Sequence, residues 1–302
     1  MEAGEEQITS DFSVVIATLN RGEDLNALLL QLTEMQKAEV IVVDQTEEYP
    51  AEIQQQLDQH INANANFFYF KLQQKSASNA RNFGVNKASG KYIFFIDDDV
   101  ILPEDYFTKY FNYIQANPIV DAIAGMVLGL DKAINYSLAK IYYNQYFGHL
   151  FRPVNYAYPL TTSDLGTCNM LIKKSIFTQL GGFDTTLLRF EDSDFSTRFL
   201  KAGYVSHYEP DLFLIHKLTS TGAVRNLTGL VKSEAYWEQC FYLVLKNFGL
   251  KNGRGLLYYY VKPQIISRRL VLNPLQYITG LGKLYKGYLL AKNKLNLAAG
   301  HE

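Results

Sequence analysis

Three adjacent carboxylates, Asp97, Asp98 and Asp99, follow directly on an apolar run from Tyr92 to Ile96. Adjacent carboxylates repel one another, and burying them without counter-charge is unfavourable. At the C-terminal end of a buried strand, where α/β sheets place ligands, they suit a hard divalent cation, Mn2+ or Mg2+. Such a cation takes oxygen ligands and shares them with a phosphate-bearing substrate. A solvated acidic turn is the plain alternative. Asn20 and Asp44 also follow apolar runs. A strand-end Asp can accept from a base N–H or a ribose hydroxyl, although each residue alone also suits a turn or a helix cap. Glu191, Asp192 and Asp194 open a segment bounded by Gly181-Gly182 and Gly203. Carboxylates favour a helix N-terminus, and one of these could instead project into a crevice as a base. His216 closes another apolar run, and an imidazole beside carboxylates can complete a shell for Mn2+.

The elements that must position these groups are legible as a pattern. Phe12 to Ala17, Val40 to Val43, Phe67 to Phe70 and Lys91 to Ile96 read as strands. Leu25, Leu28, Leu29 and Leu32 mark one amphipathic helix between them, Ile53, Leu57 and Ile61 a second, and Ser76 to Ala88 a third. This alternation predicts βαβ units and a mostly parallel α/β sheet flanked by helices. GxGxxG and the Walker pattern are both missing, which removes the two common nucleotide fingerprints. Downstream, a helix after Pro103, strands over 119–130, 167–173 and 211–216, and a helix from Glu191 are expected. Residues 131–165 are aromatic and weakly patterned, as binding loops often are.

The chain has 302 residues, 48% hydrophobic and 20% charged, with a net charge of −1. That composition is globular and large enough for one substantial domain with an appendage. Cys168 and Cys240 form no CxxC or zinc spacing. With an acidic N-terminus that lacks a signal-peptide pattern, a reduced, cytoplasmic chain is expected. No stretch of 18 uninterrupted apolar residues indicates a membrane span. Charge is unevenly distributed. After Glu238 no Asp or Glu occurs before Glu302, while ten Lys and Arg do. Lys and Arg interleaved with Leu, Tyr and Ile over 226–302, broken at Pro263 and Pro274, predict helices suited to an anionic membrane surface. A helical appendage packed on the rest of the chain is the alternative. No nucleic-acid-binding module is visible.

The ordered series SVVIATLNR, VIVVDQT, NARNFG, GKYIFFIDDD, GGFD and FEDSDFSTRFLKAGY, followed by His216, resembles the family 2 inverting glycosyltransferases of the GT-A fold, of the bacterial cell-surface-polysaccharide type. The resemblance covers roughly residues 12–218. It implies a catalytic domain over 1–225, with a nucleotide-sugar half at about 12–102 and an acceptor half at about 103–225, and a helical extension over 226–302. Thr18, Asn20, Arg21, Asp44, Arg81, Asn82, Asp97 and Asp98 are the nucleotide-sugar contacts it implies, with Asp44 on the base and Asp97 toward the ribose. Asp99 is the implied metal ligand, assisted by Asp97 and His216. Asp192 is the implied base, with Glu191 as second choice. Asp98 occupies the variable position of the Asp-x-Asp motif and is expected to tolerate change best. Two departures stand out: Ser76 falls where a glycine commonly precedes the ARN motif, and the second strand ends in DQTE rather than a DDGS-like run. The resemblance implies transfer of a sugar from a UDP- or dTDP-linked donor, with inversion, to a glycan or lipid-linked hydroxyl. It also implies a location in the cytoplasm or peripherally on the inner face of the plasma membrane. A nucleotidyltransferase of similar fold and a non-catalytic sugar- or membrane-binding protein are the competing readings.

Overall fold

The computed structural model describes residues 11–35, 37–129, 159–161, 165–217, 232–265 and 274–299. The expected binding segment 131–165 and the Ser/Thr/Gly loop after Lys217 fall largely outside these residues. The first half is the predicted alternation: β1 (Phe12–Thr18), α1 (Gly22–Met35), β2 (Glu39–Asp44), α2 (Ala51–Ala63), β3 (Phe67–Lys71), α3 (Ala77–Lys87) and β4 (Tyr92–Ile96). Ser76 caps α3 by accepting from the Asn79 N–H at 3.3 Å, so that helix starts where its serine predicts. The second half contributes β5 (Val100–Ile101), α4 (Tyr106–Ala116), β6 (Ala122–Gly129), β7 (Leu160–Thr161), β8 (Asn169–Lys173), α5 (Lys174–Gln179), α6 (Glu191–Lys201) and β9 (Ser206–His216).

The strands form one sheet in the order β3-β2-β1-β4-β8-β6-β9-β5, with β7 paired to β9. Parallel pairing runs from β3 to β4 and joins β6 to β9, whereas β8, β5 and β7 pair antiparallel. The sheet is therefore mixed, parallel in the nucleotide-side half that the βαβ pattern described. β9 is longer than the 211–216 expected, because a bulge opposite Gly125 to Val127 lets the strand pass Pro210 and Asp211.

Both faces of the central strands are buried, and residue alternation divides them cleanly. Val14, Ile16, Val40, Val42, Phe94 and Ile96 pack against Leu25, Leu28, Leu29 and Leu32 of α1 and Phe107 and Tyr110 of α4. Val15, Ile41, Val43, Ile93 and Phe95 pack against Ala80 and Val85 of α3, Phe177 of α5 and Phe195 of α6. Asn169 sits at the junction of strands. Its amide oxygen accepts from Tyr106 and Tyr110, both at 2.7 Å, and its amide nitrogen donates to the Met126 and Leu212 carbonyls at 3.0 Å.

Two helices complete the described chain, α7 (Glu234–Ile265) and α8 (Pro274–Ala299). Pro274 starts a helix as expected. Pro263 does not end one, because α7 runs through it; the break in α7 is a kink at Gly249, where φ is 65°. Trp237, Cys240 and Phe241 of α7 form a separate core with Ala291 of α8 and with Leu187 from the main domain. Gly287 allows this close approach, since a Cβ there would lie 2.3 Å from the Trp237 Cβ.

Candidate active site

The groups singled out in the sequence converge because of strand register. β4 ends at Ile96 opposite Asn169 of antiparallel β8, so Asp97 emerges beside Cys168. β5 pairs Val100 with His216 of β9, and the Lys217 N–H donates to the Asp99 carbonyl at 2.9 Å. His216 is thereby held over the triplet, its Nε2 3.4 Å from an Asp97 carboxylate oxygen and 3.3 Å from Asp99 Oδ1. Arg81, on the second turn of α3, bridges two elements. One guanidinium nitrogen lies 3.1 Å from Asp97 and the other 3.0 Å from Glu191 at the head of α6. The fork geometry of arginine suits this double role. Arg21 closes the other side, 2.8 Å from Asp98 and 3.3 Å from Asp99.

These contacts set the charge states. Burial works against ionisation of Asp97, but the His216 hydrogen bond and the Arg81 charge outweigh it and hold Asp97 below the usual carboxylate range. Burial likewise works against charge on His216, yet Asp97 and Asp99 raise its pKa above the ordinary value. Asp98 is pushed up to about 6 by burial, against the pull of Thr18 and Arg21. Burial and the adjacent Asp97 and Asp99 charges raise the Cys168 thiol well above its ordinary range, so it remains an S–H.

Several residues stand otherwise than expected. Asp98 is only 3% exposed and accepts from Thr18 Oγ1 at 2.6 Å and from Arg21. It ties the end of β1 to the triplet, an environment that bears against the expectation that this position tolerates change best. Asp44 is fully buried; it accepts from the Thr46 N–H and from Tyr69, and lies 3.2 Å from Lys71. Register accounts for this, since β2 pairs Val42 with Tyr69 and Asp44 with Lys71. In this conformation, Asp44 is enclosed by its own partners rather than open toward a base. Asn82 turns away from the strand ends. Its amide group donates to the Phe183 carbonyl at 2.8 Å and accepts from the Phe183 N–H at 2.9 Å. It clasps the GGFD turn, where Gly182 has φ 68° and a Cβ would meet the Asn82 amide oxygen at 2.6 Å. Asn20 is exposed at φ 58°, with its N–H donating to Thr46.

Glu191 and Asp192 occupy the first turn of α6, entered through Phe190 at φ 66°. Asp192 accepts from the Ser193 N–H at 2.7 Å. Asp194, in the same acidic cluster, faces inward and is fully buried among Arg198 at 2.9 Å, Lys246 at 2.9 Å and Asn247 at 2.8 Å. The sequence pattern did not single out Cys168. Its ligand atom lies within 4.8 Å of those of Asp97 and His216, a proximity that depends on the β4–β8 pairing and leaves no local signal.

The ligand atoms of Asp97, His216 and Cys168 lie within 4.8 Å of one another, and Asp99 Oδ1 lies 3.3 Å from His216 Nε2, close to the ~3 Å between cis ligands on a small divalent cation. The donor set therefore fits a divalent cation of the Mn2+ or Mg2+ kind.

The family model for glycosyl transferase family 2 matches residues 13–181. An uncharacterised glycosyltransferase of Haemophilus influenzae is 25% identical over 206 residues, 65% of this chain and 64% of that protein. A poly-beta-1,6-N-acetyl-D-glucosamine synthase of Staphylococcus aureus is 28% identical over 250 residues, 81% of this chain and 58% of that protein. The chain thus spans less than two thirds of the length of either relative. Among solved structures, S. aureus TarS residues 1–349 in complex with UDP-GlcNAc aligns with a TM-score of 0.62 at 15% identity, over 92% of this chain and 81% of that one. A mannosyltransferase of Pyrobaculum calidifontis in complex with GDP-Man and Mn2+ aligns with a TM-score of 0.53 at 15% identity, over 97% and 80%. These likenesses place the architecture in the GT-A class. The chain belongs to glycosyl transferase family 2, a family of transferase enzymes.

Proposed function

We propose that this protein transfers a sugar, with inversion, from a nucleoside-diphosphate donor to a hydroxyl of a glycan or lipid-linked acceptor. The observation that carries the reading is the Arg81 bridge. It joins the acidic triplet at the end of β4 to the carboxylate pair at the head of α6, with contacts of 3.1 and 3.0 Å. A leaving-group site and a base site must both reach one sugar, and a shared guanidinium partner that keeps the two acidic clusters close to each other supports this reading. The S. aureus relative named as a poly-beta-1,6-N-acetyl-D-glucosamine synthase and the TarS complex with UDP-GlcNAc support a UDP-linked donor. The P. calidifontis complex with Mn2+ supports a metal-assisted route.

Asp99, with Asp97 and His216, would hold the cation. When bound, it would neutralise charge developing on the diphosphate. The chain's own residues do the rest. Thr18, Asn20 and Arg21 would border the nucleoside side, with Asp98 held by Thr18 and Arg21, and Asp44 would reach the base on parting from Tyr69 and Lys71. Glu191 is engaged by Arg81, which favours a positioning role for it. Asp192, held by the Ser193 N–H at the start of α6, is the base that takes the acceptor hydroxyl proton during in-line attack. Cys168, a neutral thiol next to Asp97, borders the same crevice.

The test is donor turnover with a panel of nucleotide sugars and Mn2+, alongside nucleotide binding by calorimetry. Asp99→Ala is expected to lower turnover by about 10³-fold, several kcal/mol of transition-state stabilisation, and to remove the metal dependence of nucleotide binding. Asp192→Asn is expected to lower transfer by about 10²- to 10⁴-fold with nucleotide binding intact. A fully active Asp192→Asn with an inactive Glu191→Gln would move the base to Glu191. Absence of both donor turnover and nucleotide binding in the unaltered chain would sink the reading.

A further inference from the structure

The second helical core leaves α8 apolar on two sides. Leu284, Tyr288, Ala291 and Leu295 face α7 and pack with Trp237 and Phe241. On a second side, about 130° round the helix, Leu275, Ile278, Tyr285 and Leu289 are 80%, 67%, 61% and 41% exposed. At 100° per residue these four fall within an arc of about 80°, along about 21 Å of helix. Gly282, also exposed, lies between them. Leu290 and Leu297 add exposed apolar area beside the stripe. An inward face explains one set of apolar residues, but it gives the outward set no role.

The flanks of the stripe are cationic. On the helical wheel, Lys292 falls to one side and Lys286 and Lys283 to the other. Lys286 makes a solvent-exposed 3.2 Å ion pair with Glu234, and Lys294 a 3.0 Å pair with Glu238. The exposed side of α7 beyond its kink repeats the composition with Leu250, Lys251, Arg254, Tyr258 and Lys262. Residues 239–301 contain no Asp or Glu. A second copy of this chain meeting α8 stripe to stripe would set lysine against lysine with no acid on either helix to offset it. A surface that is apolar beneath and anionic at its rim complements both features. Among the described residues no helix is long and apolar enough to cross a membrane, so the matching geometry is a helix lying in the interface plane.

We propose that α8 docks this protein on an anionic lipid surface, with Leu275, Ile278, Tyr285 and Leu289 in the headgroup–acyl boundary and Lys283 and Lys292 on the lipid phosphates. Docking is independent of the donor chemistry, because donor turnover without vesicles reports on that chemistry alone.

The experiment is sedimentation of the full chain with large unilamellar vesicles of phosphatidylcholine alone or with phosphatidylglycerol. Binding is expected to the mixed vesicles at low ionic strength and not to phosphatidylcholine alone, with release at about 1 M salt, where the Debye length falls to ~3 Å. Ile278→Glu with Leu289→Glu, both exposed in the folded chain, is expected to abolish binding while circular dichroism and basal donor turnover stay unchanged. Lys283→Gln with Lys292→Gln keeps the stripe and is expected to weaken binding about 25-fold, about fivefold per cation. No sedimentation with mixed vesicles at low salt overturns the proposal. So does binding that survives Ile278→Glu with Leu289→Glu. A concentration-dependent dimer in sedimentation velocity that these same substitutions dissociate would assign the stripe to a second copy and overturn it equally.

Discussion

The crevice at the end of β4 and the α7–α8 pair handle charge in opposite ways. In the crevice, acids are enclosed with cations or donors built into the fold. Asp97 has Arg81 and His216, Asp98 has Arg21 and Thr18, and Asp44 has Lys71 and Tyr69. In the helices, cations accumulate in a stretch with no acidic residue at all between 239 and 301. Enclosed charges are held in place before a substrate arrives, which is the arrangement electrostatic catalysis needs. Surface cations on mobile stems instead meet a partner through screened, long-range attraction. The two regions join where acids of the first meet a cation of the second. Lys246 of α7 lies 2.7 Å from Asp184 of the GGFD turn and 2.9 Å from Asp194 of α6.

The largest break in this comparison is expected from Arg81→Ala. It leaves Asp97 and Glu191 without their shared cation in a site where Arg81 itself is 8% exposed. Removing one partner of a buried charge cluster destabilises by about 3–5 kcal/mol, read as a lower urea midpoint. Arg81→Lys is expected to recover only part of this, because an ammonium cannot span both carboxylates as a fork. Wild-type stability in Arg81→Ala would mean that these acids do not depend on the fold for their neutralisation.

Asp194→Ala tests the junction. Arg198 keeps the Leu180 and Gly182 carbonyls and Lys246 keeps Asp184, so the expected loss is smaller, about 2–3 kcal/mol. Hydrogen exchange should quicken in α7, where Lys246 and Asn247 each lose one of their partners, and stay slow in β1 and β4. Equal quickening in both regions would show one cooperative unit and erase the distinction drawn here.

How much of this was legible in the sequence follows the same division. Tyr92–Ile96 was readable to within one residue at its start, because five apolar side chains in a strand buried on both faces leave little ambiguity of period. α3 was readable to its caps because Ser76 acts locally. β9 was not: its first half alternates Ser206, His207, Tyr208 and Glu209 and then meets Pro210, and its pairing with β6 depends on a bulge. In the site, the carboxylates, Arg21, Arg81 and His216 were all singled out, but Tyr69, Lys71 and Cys168 were not. That Tyr69 and Lys71 close over Asp44 and that Cys168 stands beside Asp97 are facts of strand register between distant segments. The uneven charge of the C-terminal stretch was visible in the sequence. Which of its apolar residues face inward required Trp237 and Phe241 to be seen packed on Tyr288 and Ala291.

The smallest effect sharpens the junction through pH. Burial works against ionisation of Asp184, but the Lys246 ammonium and the Thr186 hydroxyl and N–H outweigh it and lower its pKa from the ordinary 3.8. Lys246 is shifted the other way: burial opposes its charge, and Asp184 and Asp194 raise its pKa above 10.5. A depressed acid contributes stability that is present above its unfolded value and lost as pH falls through its folded value. A raised base contributes stability that is present below its unfolded value and lost as pH rises through its folded one. The pair is therefore at full strength between pH 3.8 and 10.5. Asp184→Asn keeps a hydrogen-bonding shape but not the charge, and at pH 7 it should destabilise by about 1 kcal/mol, since Lys246 is partly open to solvent. In urea titrations the gap between wild type and Asp184→Asn should hold constant from pH 7 down to about 4 and close below that, as the wild-type carboxylate takes up its proton. A gap that widens with acid would reverse the sign of the linkage, and Asp184 would then not be the charged anchor that holds the basic helices to the acidic domain.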